Sequence, residues 1–146
     1  MAVLIDSNIL IFSVQHGHPR QEESINAVES CFQKEGAACI FLQNVTEFWN
    51  VCTRPVQNNG LGLSSLETER RLACLESVLT FLHDRPEVYR EWRRLVVQHE
   101  VKGVQVHDAR LAAGMIVYGI DRILTYNARD FKRYAGLTVV HPAHAG

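Results

Sequence analysis

The sequence lacks any long hydrophobic run and any strong excess of charge of one sign. No stretch approaches the roughly 20 apolar residues that a membrane helix needs, and the first residues reach an acid at Asp6 without the basic start of a secretion signal. The 16 acidic and 15 basic residues leave a formal net charge of −1. We therefore expect a cytoplasmic protein without a membrane segment. Any nucleic acid would have to bind through a local basic patch, through metal ions, or through both.

Cysteine is also scarce. The chain has four cysteines, at positions 31, 39, 52 and 74. They include no Cys-x-x-Cys pair, and their spacing fits no zinc-binding pattern. We expect free and mostly buried thiols in a reducing compartment.

Short apolar runs alternate with longer amphipathic segments along the chain. The apolar runs predict strands at residues 2–5, 37–42, 78–82, 122–125 and 138–140. Helical spacing and end signals predict helices at residues 8–14, 19–34, 44–54, 64–76, 86–100 and 108–118. The alternation predicts one three-layer α/β/α domain over residues 1–146, with a mainly parallel sheet of four to five strands.

Acidic and amide side chains follow the predicted strands or begin the predicted helices. Asp6 ends the first strand, Glu47 lies in the first turn of the helix after the second strand, and Asp108 begins a later helix. Asn127 and Asp130 follow the fourth strand. Because ligands bind beyond the carboxyl ends of the strands in open parallel sheets, we expect these residues at one sheet edge. A cluster of carboxylates needs cations, and oxygen ligands suit Mg²⁺ or Mn²⁺.

Each acid also has an ordinary structural explanation. On that alternative, Asp6 caps the helix that follows it, and Glu47 completes a capping box with Asn44. Asp108 then favours the positive end of its helix, and Asp130 caps the turn after the fourth strand. The apolar neighbours of Glu47 and Asp108 favour a functional role, because half-buried carboxylates need a partner.

Four segments together resemble a known family. Residues 3–8 (VLIDSN) resemble the opening strand of PIN domains, with its first catalytic Asp. Residues 44–48 (NVTEF), 106–113 (VHDARLAA) and 123–131 (ILTYNARDF) resemble the segments that carry the second acid, the third acid and the end of the PIN site. The segments occur in the family's order and span nearly the whole chain. The size is similar to that of the VapC-type toxins of bacterial toxin–antitoxin pairs.

The resemblance implies a metal-dependent endoribonuclease that hydrolyses RNA phosphodiester bonds and leaves 5′-phosphate and 3′-hydroxyl ends. It implies that Asp6, Glu47 and Asp108 hold one Mg²⁺ or Mn²⁺ ion, with Asn127 or Asp130 helping to hold a second. Many family members carry Asp where this sequence has Asn127. That departure puts the second metal position in question.

Hydroxyl and basic side chains flank these residues. Ser7 and Thr125 are candidates for orienting a carboxylate or a phosphate, although ordinary strand-end capping explains them equally well. The candidate RNA-binding residues are Arg110, Arg129 and Lys132, with Arg133 beside them and Arg54 as a further option. The alternative for these basic residues is a solvated charged face.

The resemblance further implies a homodimer and a cognate antitoxin whose C-terminal segment lies across the active site. The main alternative is a catalytically silent PIN fold that binds RNA or protein, and Asn127 is the residue that motivates it. A receiver-like phospho-acceptor domain expects two adjacent acids after the first strand. A phosphatase of the haloacid-dehalogenase type expects a second Asp where this chain has Asn8. The chain fits neither pattern.

Overall fold

The computed structural model describes residues 2–145, which form five strands and six α-helices. The strands are Val3–Ile5 (β1), Ala38–Phe41 (β2), Thr80–Leu82 (β3), Arg122–Leu124 (β4) and Thr138–Val140 (β5). The helices are Ser7–Ser13 (α1), Gln21–Glu35 (α2), Leu42–Thr53 (α3), Ser65–Glu76 (α4), Glu87–Gln98 (α5) and Val106–Tyr118 (α6).

All five strands lie parallel in one sheet, in the order β3-β2-β1-β4-β5. The central strand β1 pairs through Leu4 with Cys39 on one side and with Ile123 on the other. Val3 and Ile5 pack into the core on one face of the sheet, whereas Leu4 packs into the core on the opposite face. A strand buried on both faces is apolar at every position, which is why β1 reads as a continuous apolar run.

Helices cover both faces of this sheet. On one face α1, α3 and α4 contribute Ile9, Phe48 and Leu72 to a core that α2 also joins. On the other face α5 and α6 contribute Leu95 and Met115. The predicted three-layer α/β/α architecture with a parallel sheet is therefore confirmed. None of the helices formed by residues 2–145 is long and apolar enough to cross a membrane.

The four cysteines are free thiols, as expected. Cys31, Cys39 and Cys52 are buried, and Cys74 is exposed. Burial raises the pKa of the Cys52 thiol to about 11. This thiol therefore stays protonated near neutral pH and serves as a small apolar core residue.

The end of β2 differs from the prediction. The structure shows no loop there, because Phe41 ends β2 and Leu42 already begins α3. Asn44 therefore lies inside the helix, where its Oδ1 accepts a hydrogen bond of 2.8 Å from the Phe41 N–H. Glu47 consequently lies in the second turn of α3, and both the first-turn prediction and the capping box from Asn44 to Glu47 are wrong.

Other ends shift because turns extend or replace the predicted elements. The third strand begins at Thr80 and not at residue 78, since the Val78 N–H is still hydrogen-bonded to the Leu75 carbonyl at 3.1 Å. Helix α6 begins at Val106, before the predicted residue 108, and this places Asp108 within its first turn.

A close helix–sheet contact holds α6 over β2. A Cβ atom added at Gly114 would lie 2.9 Å from a ring carbon of Phe41, closer than such atoms normally approach. Glycine at this position thus allows α6 to lie directly on the sheet. The same helix carries Asp108 in its first turn, so this contact helps to fix where that carboxylate lies.

Candidate active site

Asp6 lies at the carboxyl end of β1 and caps α1. Its backbone is extended (φ −71°, ψ 156°), and its Oδ1 accepts a hydrogen bond of 2.7 Å from the Ser7 N–H. Its Oδ2 accepts from the Thr125 hydroxyl at 2.7 Å and from Asn8 Nδ2 at 3.3 Å. A carboxylate offers about four acceptor positions, so a fourth ligand can still bind. Capping and ligand binding are therefore compatible for this residue.

A polar network joins the ends of β1 and β4. Asn8 Nδ2 donates to Thr125 Oγ1 at 3.1 Å, and Asn8 Oδ1 accepts from the Tyr126 N–H at 3.3 Å. The Asn127 N–H donates to the same Thr125 oxygen at 2.9 Å. Asn8 is a positioning residue that sequence reasoning missed. The available signal was an amide side chain two positions after the first acid, at the end of a buried strand.

The Ser7 side chain contacts α3, the helix that follows the second strand, rather than the end of the fourth strand. It is buried, and its Oγ accepts a hydrogen bond of 3.4 Å from Asn44 Nδ2. Asn44 thus links the start of α3 to the start of α1, which helps to fix the helix that carries Glu47.

The carboxylates act on one another electrostatically. The pKa of Asp6 is raised to about 6, mainly by burial and to a smaller extent by the nearby Glu47 and Asp130 carboxylates, although the hydrogen bonds from Thr125 and Ser7 lower it. The pKa of Asp108 is raised to about 7, mainly by burial and to a smaller extent by the carboxylates of Asp130, Asp6 and Glu47. The positive charge of Arg133 lowers the pKa of Asp108 and so opposes this rise. The four acids therefore share one region of unfavourable negative potential, as expected for a site that attracts cations.

Glu47 and Asp108 line a common cleft of about 580 Å³. Its lining residues are Leu42, Gln43, Thr46, Glu47, Val104, His107, Asp108 and Arg110. Gln43 is buried, and its Nε2 donates a hydrogen bond of 2.7 Å to the His107 carbonyl, which joins α3 to the start of α6. Gln43 is a second positioning residue that sequence reasoning missed, because nothing in the sequence pairs it with residue 107.

The segment after β4 places its two candidate ligands differently. Asn127 is exposed, and within residues 2–145 its side chain makes no hydrogen bond. Asp130 is partly buried at the end of the 3₁₀ turn Ala128–Asp130, and its charge raises the pKa values of Asp6 and Asp108. The fourth charge of the cluster therefore comes from Asp130.

The candidate RNA-binding residues divide into two groups. Arg110 lines the cleft, and its Nη2 lies 2.9 Å from Asp84 Oδ2 at the surface. Arg133 lies close enough to Asp108 to lower its pKa. Arg129 and Lys132 are exposed and do not line the cleft. The structure thus brings Arg110 and Arg133 to the acids, whereas Arg129 and Lys132 face solvent beside them.

The donor set has the chemistry that Mg²⁺ or Mn²⁺ prefers. In the described part of the chain, no three His, Cys, Asp or Glu side chains are grouped closely enough to hold an ion on their own. Mg²⁺ usually keeps several waters and binds through one or two carboxylates. Asp6, with a free acceptor position, and the cleft carboxylates of Glu47 and Asp108 meet that requirement.

Comparison with known proteins relates this arrangement to one family. A PIN domain family model matches residues 3–137. A comparison with curated protein sequences gives no significant match.

Solved structures have the same fold at low sequence identity. VapBC2 from Rickettsia felis, bound to a promoter DNA fragment, is 14% identical with a TM-score of 0.71, covering 97% of this chain and 98% of the other. The sarcin-ricin loop cleaving toxin VapC20 from Mycobacterium tuberculosis is 15% identical with a TM-score of 0.67, and the match covers 90% of this chain and 94% of the other. DNA-bound VapBC from Salmonella typhimurium is 20% identical with a TM-score of 0.64, covering 97% and 98%.

Proposed function

The chain belongs to the PIN domain family, and from this premise we propose that it is a metal-dependent endoribonuclease that hydrolyses phosphodiester bonds in RNA. The observation that carries the proposal is the group of four carboxylates, Asp6, Glu47, Asp108 and Asp130, beside an open cleft. Burial and the charges of the neighbouring carboxylates raise the pKa values of Asp6 and Asp108. Four carboxylates brought close together repel one another, which lowers the stability of the folded protein. The proposed role of these carboxylates is therefore to bind cations.

In this proposal Asp6, Glu47 and Asp108 hold one Mg²⁺ or Mn²⁺ ion together with water ligands, since these side chains are not grouped closely enough to hold it alone. Asp130 or the side-chain carbonyl of Asn127 helps to hold a second ion. When bound, the ion would activate water as a nucleophile and neutralise charge on the phosphate. The exposed position of Asn127 and its lack of charge favour Asp130 for the second role.

The chain's own residues hold the reacting groups in place. The Ser7 N–H and the Thr125 hydroxyl fix both oxygens of Asp6, and Asn8 fixes Thr125 in turn. Such preorganisation contributes to rate because a carboxylate that is already oriented needs no rearrangement during the reaction. Arg110, at the cleft wall, supplies positive charge for a phosphate next to the cleaved bond.

We further propose that the chain is the toxin of a toxin–antitoxin pair, acts in the cytoplasm, and forms a homodimer. Support comes from its fold, which it has in common with VapC20 and with the VapBC complexes. In this proposal a cognate antitoxin protein covers the cleft and blocks access of RNA. Co-expression with the product of the neighbouring open reading frame tests the pairing. Sedimentation of the purified chain tests the dimer, and a monomer at every concentration would exclude it.

Cleavage of total RNA with Mg²⁺ or Mn²⁺ tests the central proposal. We expect discrete fragments from the wild type. In Asp6→Asn and Asp108→Asn, cleavage should fall by more than about 100-fold, beyond the cost of losing an outer-shell partner of a metal site. Asp121→Asn is the matched control, since Asp121 is an exposed acid at the opposite end of β4.

The alternative is a silent PIN fold that only binds RNA or protein. It predicts no cleavage by any variant and no thermal stabilisation of the wild type by Mn²⁺. Equal cleavage by the wild type and by both site variants would contradict the proposed site and indicate a contaminating nuclease.

A further inference from the structure

Three surface cavities that share lining residues extend from the acids to α5. The cleft that contains Glu47 and Asp108 shares Arg110 with a neighbouring cavity of about 360 Å³. That second cavity shares Pro86 and Tyr89 with a third, of about 440 Å³. The three cavities therefore adjoin one another and form a single path along the loop before α5 and the first turns of that helix.

Aromatic and guanidinium groups line this path, namely Arg85, Tyr89, Arg90, Trp92 and Arg110, and Arg93 and Tyr118 lie beside it. Tyr89 is 66% exposed, and the Arg93 guanidinium lies 5.6 Å from the centre of its ring. Arg85 lies 5.3 Å from the ring centre of Tyr118, which packs beside the same loop. Exposed aromatic rings next to arginines are typical of surfaces that bind single-stranded nucleic acid, because bases stack on the rings while the guanidinium groups meet phosphates.

The arginines along the path are available to phosphates. Within residues 2–145, Arg90 and Arg93 form no ion pair. Arg110 pairs with Asp84 at 2.9 Å, and Arg85 pairs with Glu87 at 3.5 Å. All four side chains are at least 44% exposed. Exposed ion pairs contribute little free energy, so a phosphate can replace either carboxylate.

We infer that α5 and the loop before it form a binding track for the single-stranded RNA that flanks the cleaved bond, with Tyr89 stacking a base and Arg90 and Arg110 contacting phosphates. This inference rests on the proposed ribonuclease function, since the track begins at the cleft of Glu47 and Asp108. The track offers a chain of net charge −1 several exposed guanidinium groups, although the acids Asp84, Glu87 and Glu91 line the same cavities.

The test measures binding separately from cleavage. Asp108→Asn serves as the parent, so that RNA is not consumed, and a fluorescein-labelled oligoadenylate is the probe. Tyr89→Ala should weaken binding about tenfold, as expected for the loss of one stacked base. Tyr89→Phe keeps the ring and should bind like the parent. Arg90→Gln should weaken binding and reduce the slope of log K against log salt by about 1.

Arg70→Gln is the matched control, because Arg70 is 68% exposed on α4, which packs on the opposite face of the sheet. The track is excluded if Tyr89→Ala and Arg90→Gln bind the probe as tightly as the parent, or if the parent does not bind the probe. A change that appears only in self-association or in antitoxin binding would assign the surface to a protein partner and also overturn the inference. Cleavage of total RNA by otherwise wild-type protein decides the proposed function independently of each result.

Discussion

The Thr125 hydroxyl donates a hydrogen bond of 2.7 Å to Oδ2 of Asp6, although 119 positions separate the two residues. The bond is buried, and it lowers the pKa of an acid that burial otherwise raises. It joins the carboxyl ends of β1 and β4, which are neighbours in the sheet. Fold and site are thus coupled through one side-chain contact.

Replacing Thr125 tests this coupling. Thr125→Val keeps the shape of the side chain but removes the donor, and we expect the free energy of unfolding at pH 8 to fall by about 1.5–3 kcal/mol, the usual range for a hydrogen bond to a charged group. Thr125→Ser keeps the hydroxyl and should lose less. Denaturant unfolding at pH 8 and pH 5 is the measurement. The deficit of the Val variant should shrink at pH 5, where Asp6 is protonated, and an equal deficit at both pH values would contradict the role of the charge.

The raised pKa values of Asp6 and Asp108 predict how stability depends on pH. Both acids have an ordinary value of 3.8 and folded values of about 6 and about 7. Between about pH 4 and pH 7 these two carboxyl groups still hold protons in the folded protein but have released them in the unfolded chain. The free energy of unfolding of the metal-free protein therefore falls as pH rises from about 4 to about 7. Thermal melting in the presence of a chelator should show this fall.

A variant and a metal titration separate the site from the rest of the protein. Asp108→Asn cannot ionise and should flatten the pH profile, whereas Asp121→Asn should leave its slope unchanged. Stabilisation by Mg²⁺ should be larger at pH 8 than at pH 5.5, because bound protons compete with the metal for the same carboxylates. A wild-type stability that rises from pH 4 to pH 7 in chelator would contradict the assignment.

The contact between Gly114 and Phe41 predicts a packing defect. Gly114→Ala improves helix propensity, but its Cβ would lie 2.9 Å from the Phe41 ring, so we expect a net loss of about 1–3 kcal/mol from overpacking. The loss should be smaller in a Phe41→Leu background, where the ring is absent. A double-mutant cycle by denaturant unfolding measures this coupling. Additive effects of the two substitutions would show that α6 does not rest on this ring.

Much of the fold followed from the sequence pattern, for a physical reason. Strands buried on both faces must be apolar throughout, so the runs around Leu4 and Ile40 predicted both the strands and the parallel sheet. The ends of the strands and helices were less predictable, because they depend on single hydrogen bonds. The bond from the Phe41 N–H to Asn44 is an example, since it moves the start of α3 into the end of the strand.

The candidate site was predictable in outline only. Parallel strands bring residues that follow them to one edge, so Asp6 and Asp130 were expected together without knowledge of their contacts. Their hydrogen-bond partners could not be predicted, because Thr125 and Asn8 meet only in three dimensions. The direction in which exposed side chains point could not be predicted either. Arg129 lies in a 3₁₀ turn that sequence spacing does not orient.

The two candidate ligands after β4 give the sharpest test of the second metal position. Asp130 raises the pKa of Asp108 more than any other carboxylate does, whereas Asn127 is exposed and uncharged. Asp130→Asn should therefore weaken Mn²⁺ affinity and RNA cleavage by about 10- to 100-fold, the range for residues that support metal ligands. Asn127→Ala should change both by much less.

Calorimetric titration with Mn²⁺ and single-turnover cleavage together measure these effects. Asn127→Asp adds the carboxylate that many family members carry, and in the Asp130→Asn background it should restore part of the lost affinity, because a charge returns to the same edge of the sheet. Full activity of Asp130→Asn, with a large loss in Asn127→Ala, would reverse the assignment. The amide carbonyl would then be the ligand, and the charge of Asp130 would serve only to raise the pKa of Asp108.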